Sequence, residues 1–160
     1  MTTVNNQTHT SETTQIDSLY NALNIQIANW SVLYTKLHNF HWYVKGENFY
    51  TLHAKFEELY TQVTVYMDDV AERLLAIGGR PVATIKEQLE LSTLLEATGS
   101  ESANQMVTSV VEDFATLAGE MSEAITLAEE LADQPTADLL TGIRGEVEKA
   151  AWMLNAYLGR

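Results

Sequence analysis

Apolar residues recur at steps of three and four along four stretches of this chain, and this periodicity limits the fold more than any other feature. Residues 17–44 and 49–77 each carry one continuous apolar stripe, as an amphipathic helix requires. Two more stripes occupy about 100–128 and 135–158. Only two prolines and eight glycines interrupt the 160 residues, which favours long helices over many short strands.

The breaks between the stripes predict how the helices connect. Residues 45–48 contain a glycine that suits a helix end, and Asn48 is the expected N-cap of the second helix. Residues 78–81 end that helix with two glycines and a proline, and residues 84–87 form a capping box for a short extra helix. Residues 133–135 place a proline in the first turn of the fourth long helix. This order predicts an all-α, ferritin-like four-helix bundle with a short helix in the second connection.

The first residues differ from the rest in composition. Residues 1–15 are mostly Thr, Asn, Gln and Ser, which predicts a disordered polar tail in front of one domain at 16–160. No apolar run of about 18 residues is present, and the beginning lacks the basic and apolar regions of a secretory signal. The chain also has no cysteine. We expect a cytoplasmic protein, with association with the nucleoid as a further possibility.

The charge is strongly acidic and unevenly distributed. The formal net charge is −13, from 22 acidic and 9 basic residues, with no base before Lys36 and none between Lys86 and Arg144. Direct DNA binding requires clustered Lys and Arg, so it is doubtful for this chain. An acidic protein attracts cations, although solubility alone is the simpler interpretation of the charge.

Histidines gather around one predicted turn. His38, His41 and His53 lie within residues 37–60, and His41 and His53 are each six residues from Glu47 at the centre of that turn. Antiparallel helices would place these two imidazoles side by side. Taken alone, His41 is better interpreted as a hydrogen-bonded core residue, because it lies in the apolar stripe, and His38 lies off the stripe at the surface.

The second helix carries another stripe, which points away from the bundle core. Helical geometry places His53, Glu57, Asp68 and Glu72 on it, in two pairs spaced four residues apart. The two pairs are about 22 Å apart along one helix, so a single metal site would need an antiparallel second copy of the chain. Imidazole with carboxylate suits iron, manganese or zinc. Ordinary solubilising charge is the alternative, and the familiar Glu-x-x-His metal motif is absent.

Three segments on these helices resemble the Dps family of miniferritins. They are KLHNFHWYVKG at 36–46, FYTLHAKFEELY at 49–60 and DDVAERLLAIGG at 68–79, and the likeness extends over about 23–158. The resemblance implies a hollow dodecamer that oxidises Fe(II) with hydrogen peroxide or, more slowly, O₂. It also implies storage of the Fe(III) as mineral, which protects the cell and its DNA from oxidative damage.

The same resemblance implies where a di-iron ferroxidase centre lies, at the interface around each two-fold axis. His41, His53 and Glu57 would come from one subunit, and Asp68 and Glu72 from its neighbour. Arg73 would pair with acids near the site.

Further roles rest on the resemblance alone. Glu129, Asp133 and Asp138 stand where the family places acidic pore residues, although they could simply cap the turn between the third and fourth long helices. Glu58 would start mineral growth on the inner wall.

Two other functions stay open at this point. One is a nucleoid-associated, DNA-binding structural protein with secondary iron binding. The other is a bundle that assembles but has lost catalysis. The presence of His41, His53, Asp68 and Glu72 argues against it.

Overall fold

The computed structural model describes the backbone of residues 4–160 and the side chains of residues 13–160, and helices dominate it. Five helices follow one another, and no strand occurs among the described residues: α1 (Val4–Tyr43), α2 (Phe49–Ala76), α3 (Ile85–Leu91), α4 (Ala103–Glu130) and α5 (Gln134–Tyr157). The all-α, ferritin-like bundle with a short helix in the second connection is therefore confirmed. Within the described residues, no helix combines the length and the apolar character needed to cross a bilayer.

Two helical hairpins form the bundle. Helix α1 packs along α2, α4 packs along α5, and the hairpins meet chiefly through α1 and α4. The core between them is filled by fully buried side chains such as Trp30, Phe40, Phe56 and Leu117. Helices α2 and α5 contact each other only sparingly, and a shallow groove separates them.

The capping predictions are mostly confirmed. Thr84 and Glu87 form the expected capping box at α3, and Asp133 occupies the N-cap of α5 with Pro in the first turn. The prediction for Asn48 is wrong in part. It holds the N-cap position of α2, but its dihedral angles (φ −95°, ψ 16°) are not those of an extended cap, and its side chain makes no capping bond. Its amide Nδ2 instead donates to the Tyr157 hydroxyl at 2.8 Å.

The first helix is longer than its apolar stripe. Helix α1 begins at Val4, so the backbone is helical over the described part, 4–15, of the segment that was expected to be a disordered tail. Adding a residue to an existing helix costs far less than starting one, which permits such an extension beyond the packed part. The side chains of residues 1–12 lie outside the described residues, and the division into a tail at 1–15 and a domain at 16–160 stays a prediction.

Several polar groups inside the bundle are paired with one another. Lys36 Nζ lies 2.7 Å from Asp113 Oδ2, and the two side chains are only 3 % and 10 % exposed. Burial raises the pKa of Asp113, and the hydrogen bond and charge of Lys36 oppose that rise. Nearby, the Asn29 amide donates to Glu120 at 2.7 Å and to Thr93 at 2.9 Å, which ties the connection after α3 to α1 and α4.

Candidate metal centre

The turn between α1 and α2 brings two imidazoles into contact. His41 lies in the last turn of α1 and His53 in the second turn of α2. Their rings stack with centroids 3.7 Å apart and planes 18° from parallel. His41 is only 9 % exposed, and His53 is half-buried. The prediction that the hairpin sets these two side chains side by side therefore describes the folded chain.

Backbone hydrogen bonds determine which nitrogen of each ring is available. His41 Nδ1 lies 2.8 Å from the carbonyl oxygen of His53, and His53 Nδ1 lies 2.8 Å from the carbonyl oxygen of His41. A carbonyl oxygen only accepts, so each Nδ1 carries the proton and donates it. The lone pair of each neutral ring is then on Nε2. Bonds of this kind to backbone carbonyls are the usual support of a metal-binding histidine.

Glu57 supplies a carboxylate next to the two rings. It lies one turn after His53 on α2, and its side chain is exposed. One ligand atom from each of His41, His53 and Glu57 lies within 4.8 Å of the others, and no second group of this kind occurs among the described residues. Two imidazole nitrogens and a carboxylate oxygen suit iron, manganese or zinc.

The structure does not bring Asp68 and Glu72 to this group. Both lie on α2 and are exposed, and neither makes a hydrogen bond or an ion pair with any described side chain. Fifteen residues of helix separate His53 from Asp68, which is about 22 Å. One copy of the chain therefore carries the group of His41, His53 and Glu57 toward one end of α2 and the exposed pair of Asp68 and Glu72 toward the other.

Small side chains occupy the middle of the face that connects these groups. Thr61 and Thr64 are exposed there, and their hydroxyls donate to the carbonyl oxygens of Glu57 (2.8 Å) and Tyr60 (2.9 Å). With the hydroxyls satisfied within the helix, the methyl groups are left for contact with another surface. Such a face lets a second helix approach closely without leaving a polar group unpaired.

The predicted pore residue Asp133 is occupied by contacts within the chain. Its carboxylate accepts from the backbone N–H and hydroxyl of Thr136 and from the Arg73 guanidinium at 2.6 Å. Burial would raise the pKa of Asp133, but these hydrogen bonds and the positive charge of Arg73 outweigh it and lower the pKa. Asp133 thus caps α5, and its predicted role in a pore stays a prediction.

The other acids assigned to the pore and the inner wall are exposed. Glu129 is exposed, and Asp138 accepts from the Gln134 amide at 2.7 Å. Glu58 is paired with Lys55 at 2.7 Å. These contacts neither assign nor exclude a role in binding cations, and the predicted roles of these three residues stay predictions.

Sequence reasoning missed the aromatic surroundings of the two imidazoles. His38, expected at the surface, is half-buried and stacks on Tyr60 with centroids 3.8 Å apart. Tyr60 in turn meets His41 edge to face at 5.4 Å, and Phe49 stacks on His53 at 5.0 Å. The i, i+4 spacing of His38 from Trp42 was a visible signal, but contact with Tyr60 depends on how α1 packs against α2.

Comparisons with known proteins agree with this fold. The family model described as ferritin-like domain matches residues 20–160. General stress protein 20U of Bacillus subtilis is 54 % identical over 143 residues, which cover 89 % of this chain and 99 % of that protein. A crystal structure of a Dps protein from Bacillus brevis is 52 % identical, with a TM-score of 0.89 over 91 % of this chain and 97 % of the other. A Vibrio cholerae O1 protein, described as a Dps protein of the ferritin-like diiron-carboxylate superfamily, is 37 % identical, with a TM-score of 0.87 over 91 % and 92 % of the two chains.

Proposed function

The chain belongs to the Dps family of ferritin-like proteins, and we propose that it is a ferroxidase that oxidises Fe(II) at sites shared by two copies and stores the Fe(III) as mineral. Membership of this family supports iron storage and protection in general. The ferroxidase proposal rests on the pair of imidazoles, whose Nε2 atoms are free beside the Glu57 carboxylate.

Each site takes residues from two subunits. His41, His53 and Glu57 belong to one copy, and Asp68 and Glu72 of another copy complete the ligand set. Antiparallel pairing of two α2 helices about a two-fold axis brings these groups together, because the axis then lies midway between His53 and the acids, close to Thr61. The internally bonded hydroxyls of Thr61 and Thr64 support close packing at that point.

Two Fe(II) ions in one site match the electron demand of hydrogen peroxide. Each Fe(II) gives one electron, the O–O bond breaks, and two protons complete two water molecules. A single Fe(II) would give only one electron and release a hydroxyl radical. We therefore propose hydrogen peroxide as the preferred oxidant and O₂ as the slower one. This chain's part is to hold the ions together through imidazole nitrogen and carboxylate oxygen.

Assembly and location follow from the family. The proposed assembly is a hollow dodecamer in the cytoplasm, and its acidic surface attracts Fe(II). Glu129, Asp133 and Asp138 are candidates for the entry path, and Asp133 also caps α5 there. Glu58 is the candidate for starting mineral growth, in competition with its ion pair to Lys55.

A nucleoid-associated, DNA-binding role finds little support in the arrangement of the bases. All nine Lys and Arg lie within the described residues, and seven of them pair with acids: Lys36, Lys55, Arg73, Arg80, Lys86, Arg144 and Lys149. The pairs of Arg80, Lys86 and Lys149 are 3.8–3.9 Å long and exposed, so they do not withhold these bases from phosphate. Nine bases spread among 22 acids nevertheless do not form the Lys/Arg cluster that stable DNA binding needs. Gel retardation at low salt should show no shift, and a salt-sensitive shift would favour the DNA-binding role instead.

The ferroxidase proposal is tested by iron oxidation in the purified assembly. The protein is loaded with Fe(II) without oxygen, hydrogen peroxide is added, and Fe(III) is followed by absorbance. We expect about two Fe(II) consumed per peroxide and a slow reaction in the double variant His41→Ala, Asp68→Ala. Equal rates in the two proteins would contradict the assignment of the site.

A further inference from the structure

A continuous series of rings crosses the candidate ligands. Phe49 stacks on His53 at 5.0 Å and 25°, His53 stacks on His41 at 3.7 Å and 18°, and His41 meets Tyr60 edge to face at 5.4 Å and 89°. His38 closes the series by stacking on Tyr60 at 3.8 Å and 23°. We call these five residues the ring column. Both imidazoles lie inside the column, and other aromatic side chains form its ends.

The Tyr60 end of the column is itself fixed to the backbone. His38 Nδ1 donates to the carbonyl oxygen of Tyr34 at 3.0 Å, and Tyr34 and Trp42 also contact the His38 ring, at 4.4 and 5.3 Å. Rotation of His38 is thereby restricted, so Tyr60 rests against a fixed ring.

Holding an imidazole in one orientation matters because its ring torsion is soft. The χ2 torsion of histidine has broad minima, so a ring held by one hydrogen bond still swings about it. Aromatic contacts on both sides of the imidazole pair oppose that swing.

We propose that Tyr60 and Phe49 are positioning residues that bracket the imidazole pair and aim the Nε2 atoms of His41 and His53 before any metal arrives. This inference rests on the proposed function, since it takes the two histidines as ligands. It adds that the ligand group within one chain is already organised, whether or not the acids of a second copy are present. Neither Tyr60 nor Phe49 needs to touch the metal.

The experiment uses Co²⁺ as a probe, because its visible absorption reports the number and geometry of its ligands without any oxidation step. Titrations are made with the intact assembly of the wild type, Tyr60→Phe and Tyr60→Leu. Tyr43→Leu is the matched control, since Tyr43 is exposed, lies near the same turn and makes no ring contact among those described. Thermal midpoints of all proteins are recorded alongside.

We expect Tyr60→Leu to weaken Co²⁺ binding by about 10- to 100-fold and to alter the cobalt spectrum, as loss of a supporting residue usually does. Tyr60→Phe, which keeps the ring, should stay within about twofold of the wild type, as should Tyr43→Leu. A metal-free crystal structure of Tyr60→Leu should show the His41 ring rotated. If Tyr60→Leu fails to fold, His38→Leu removes the supporting ring instead and should weaken binding in the same direction.

Two results would overturn the inference in different ways. Wild-type Co²⁺ affinity and spectrum in Tyr60→Leu and His38→Leu would show that the bracket is not needed, with the metal site itself intact. Unchanged Co²⁺ binding in His41→Ala would show that His41 is not a ligand, and then the proposed function's site fails as well. His41→Ala therefore belongs in the same series.

Discussion

The interior of the bundle and the outward face of α2 use polar residues in opposite ways. Inside, Lys36 pairs with Asp113, and Asn29 bonds to Glu120 and Thr93, so each group finds its partner within the chain. On the outward face of α2, Asp68 and Glu72 have no partner among the described side chains. A buried pair stabilises the bundle, whereas carboxylates without a partner in the chain are available to an ion or to a second copy.

The largest effect should come from opening an interior pair. Lys36→Met leaves the Asp113 carboxylate buried without its partner, which should lower the free energy of unfolding by about 3–5 kcal/mol. The measurement is urea unfolding at a fixed protein concentration. Lys55→Met is the matched control, because its ion pair with the 67 % exposed Glu58 side chain contributes less than about 1 kcal/mol. Similar losses of unfolding free energy in the two variants would mean that the interior pair stabilises the fold no more than the exposed pair does.

A loss of activity without a loss of stability is expected on the outward face. Asp68→Ala removes a proposed ligand, and peroxide-driven Fe(II) oxidation should slow by about 100-fold, equivalent to about 2.7 kcal/mol. Because Asp68 is exposed and unpaired, the free energy of unfolding should change by less than about 0.5 kcal/mol. Asp69→Ala is the control, since Asp69 is also exposed but lines the groove beside α5. Equal slowing of Fe(II) oxidation in both variants would show that the loss of any surface negative charge slows the reaction, and that Asp68 is not a specific ligand.

A smaller change in the free energy of unfolding should distinguish replacement of Asp133 from replacement of its exposed neighbour Asp138. Asp133→Asn keeps a capping side chain but loses the charge that pairs with Arg73, which should cost about 1 kcal/mol. Because the folded-state pKa of Asp133 is lowered, its stabilising contribution is present above the unfolded-state pKa and disappears as pH falls through the folded-state value. The difference from the wild type should therefore shrink in acid, as measured by urea unfolding from pH 7 to pH 3.

Asp138→Asn serves as the comparison in the same pH series. Its carboxylate is exposed, so its replacement should change the free energy of unfolding by less than about 0.5 kcal/mol at each pH. A difference between Asp133→Asn and the wild type that persists unchanged at pH 3 would show that the ion pair with Arg73 is not its source.

The helical phases were predictable from the sequence, and contacts between helices were not. An α-helix turns by a constant angle per residue, so the shared face of His53, Glu57 and Asp68 follows from their spacing. The meeting of His41 and His53 also follows, because a short turn aligns positions at equal distances from its centre. Tyr60 stacks on His38 only through the packing register of α1 on α2, which spacing along one helix does not contain.

The other differences between prediction and structure, at Asn48 and Asp133, come from local dihedral angles and from partners distant in the sequence. Asn48 stands where a cap is expected, yet its backbone angles direct the amide to Tyr157 on α5. Asp133 could be interpreted as a pore acid or as a cap. In the structure its carboxylate caps α5 through the Thr136 N–H and also pairs with Arg73 at the end of α2, a contact that spacing along the sequence does not reveal.

The shared site is tested most directly by mixing two inactive subunits. His53→Ala and Asp68→Ala subunits are unfolded together, reassembled in equal amounts and assayed for peroxide-driven Fe(II) oxidation. If each site joins the histidines of one copy to the acids of another, mixed pairs regain one intact site of two, and activity should return to about a quarter of the wild type. Activity no higher than in either variant alone would contradict the account, because it would place every ligand in a single chain.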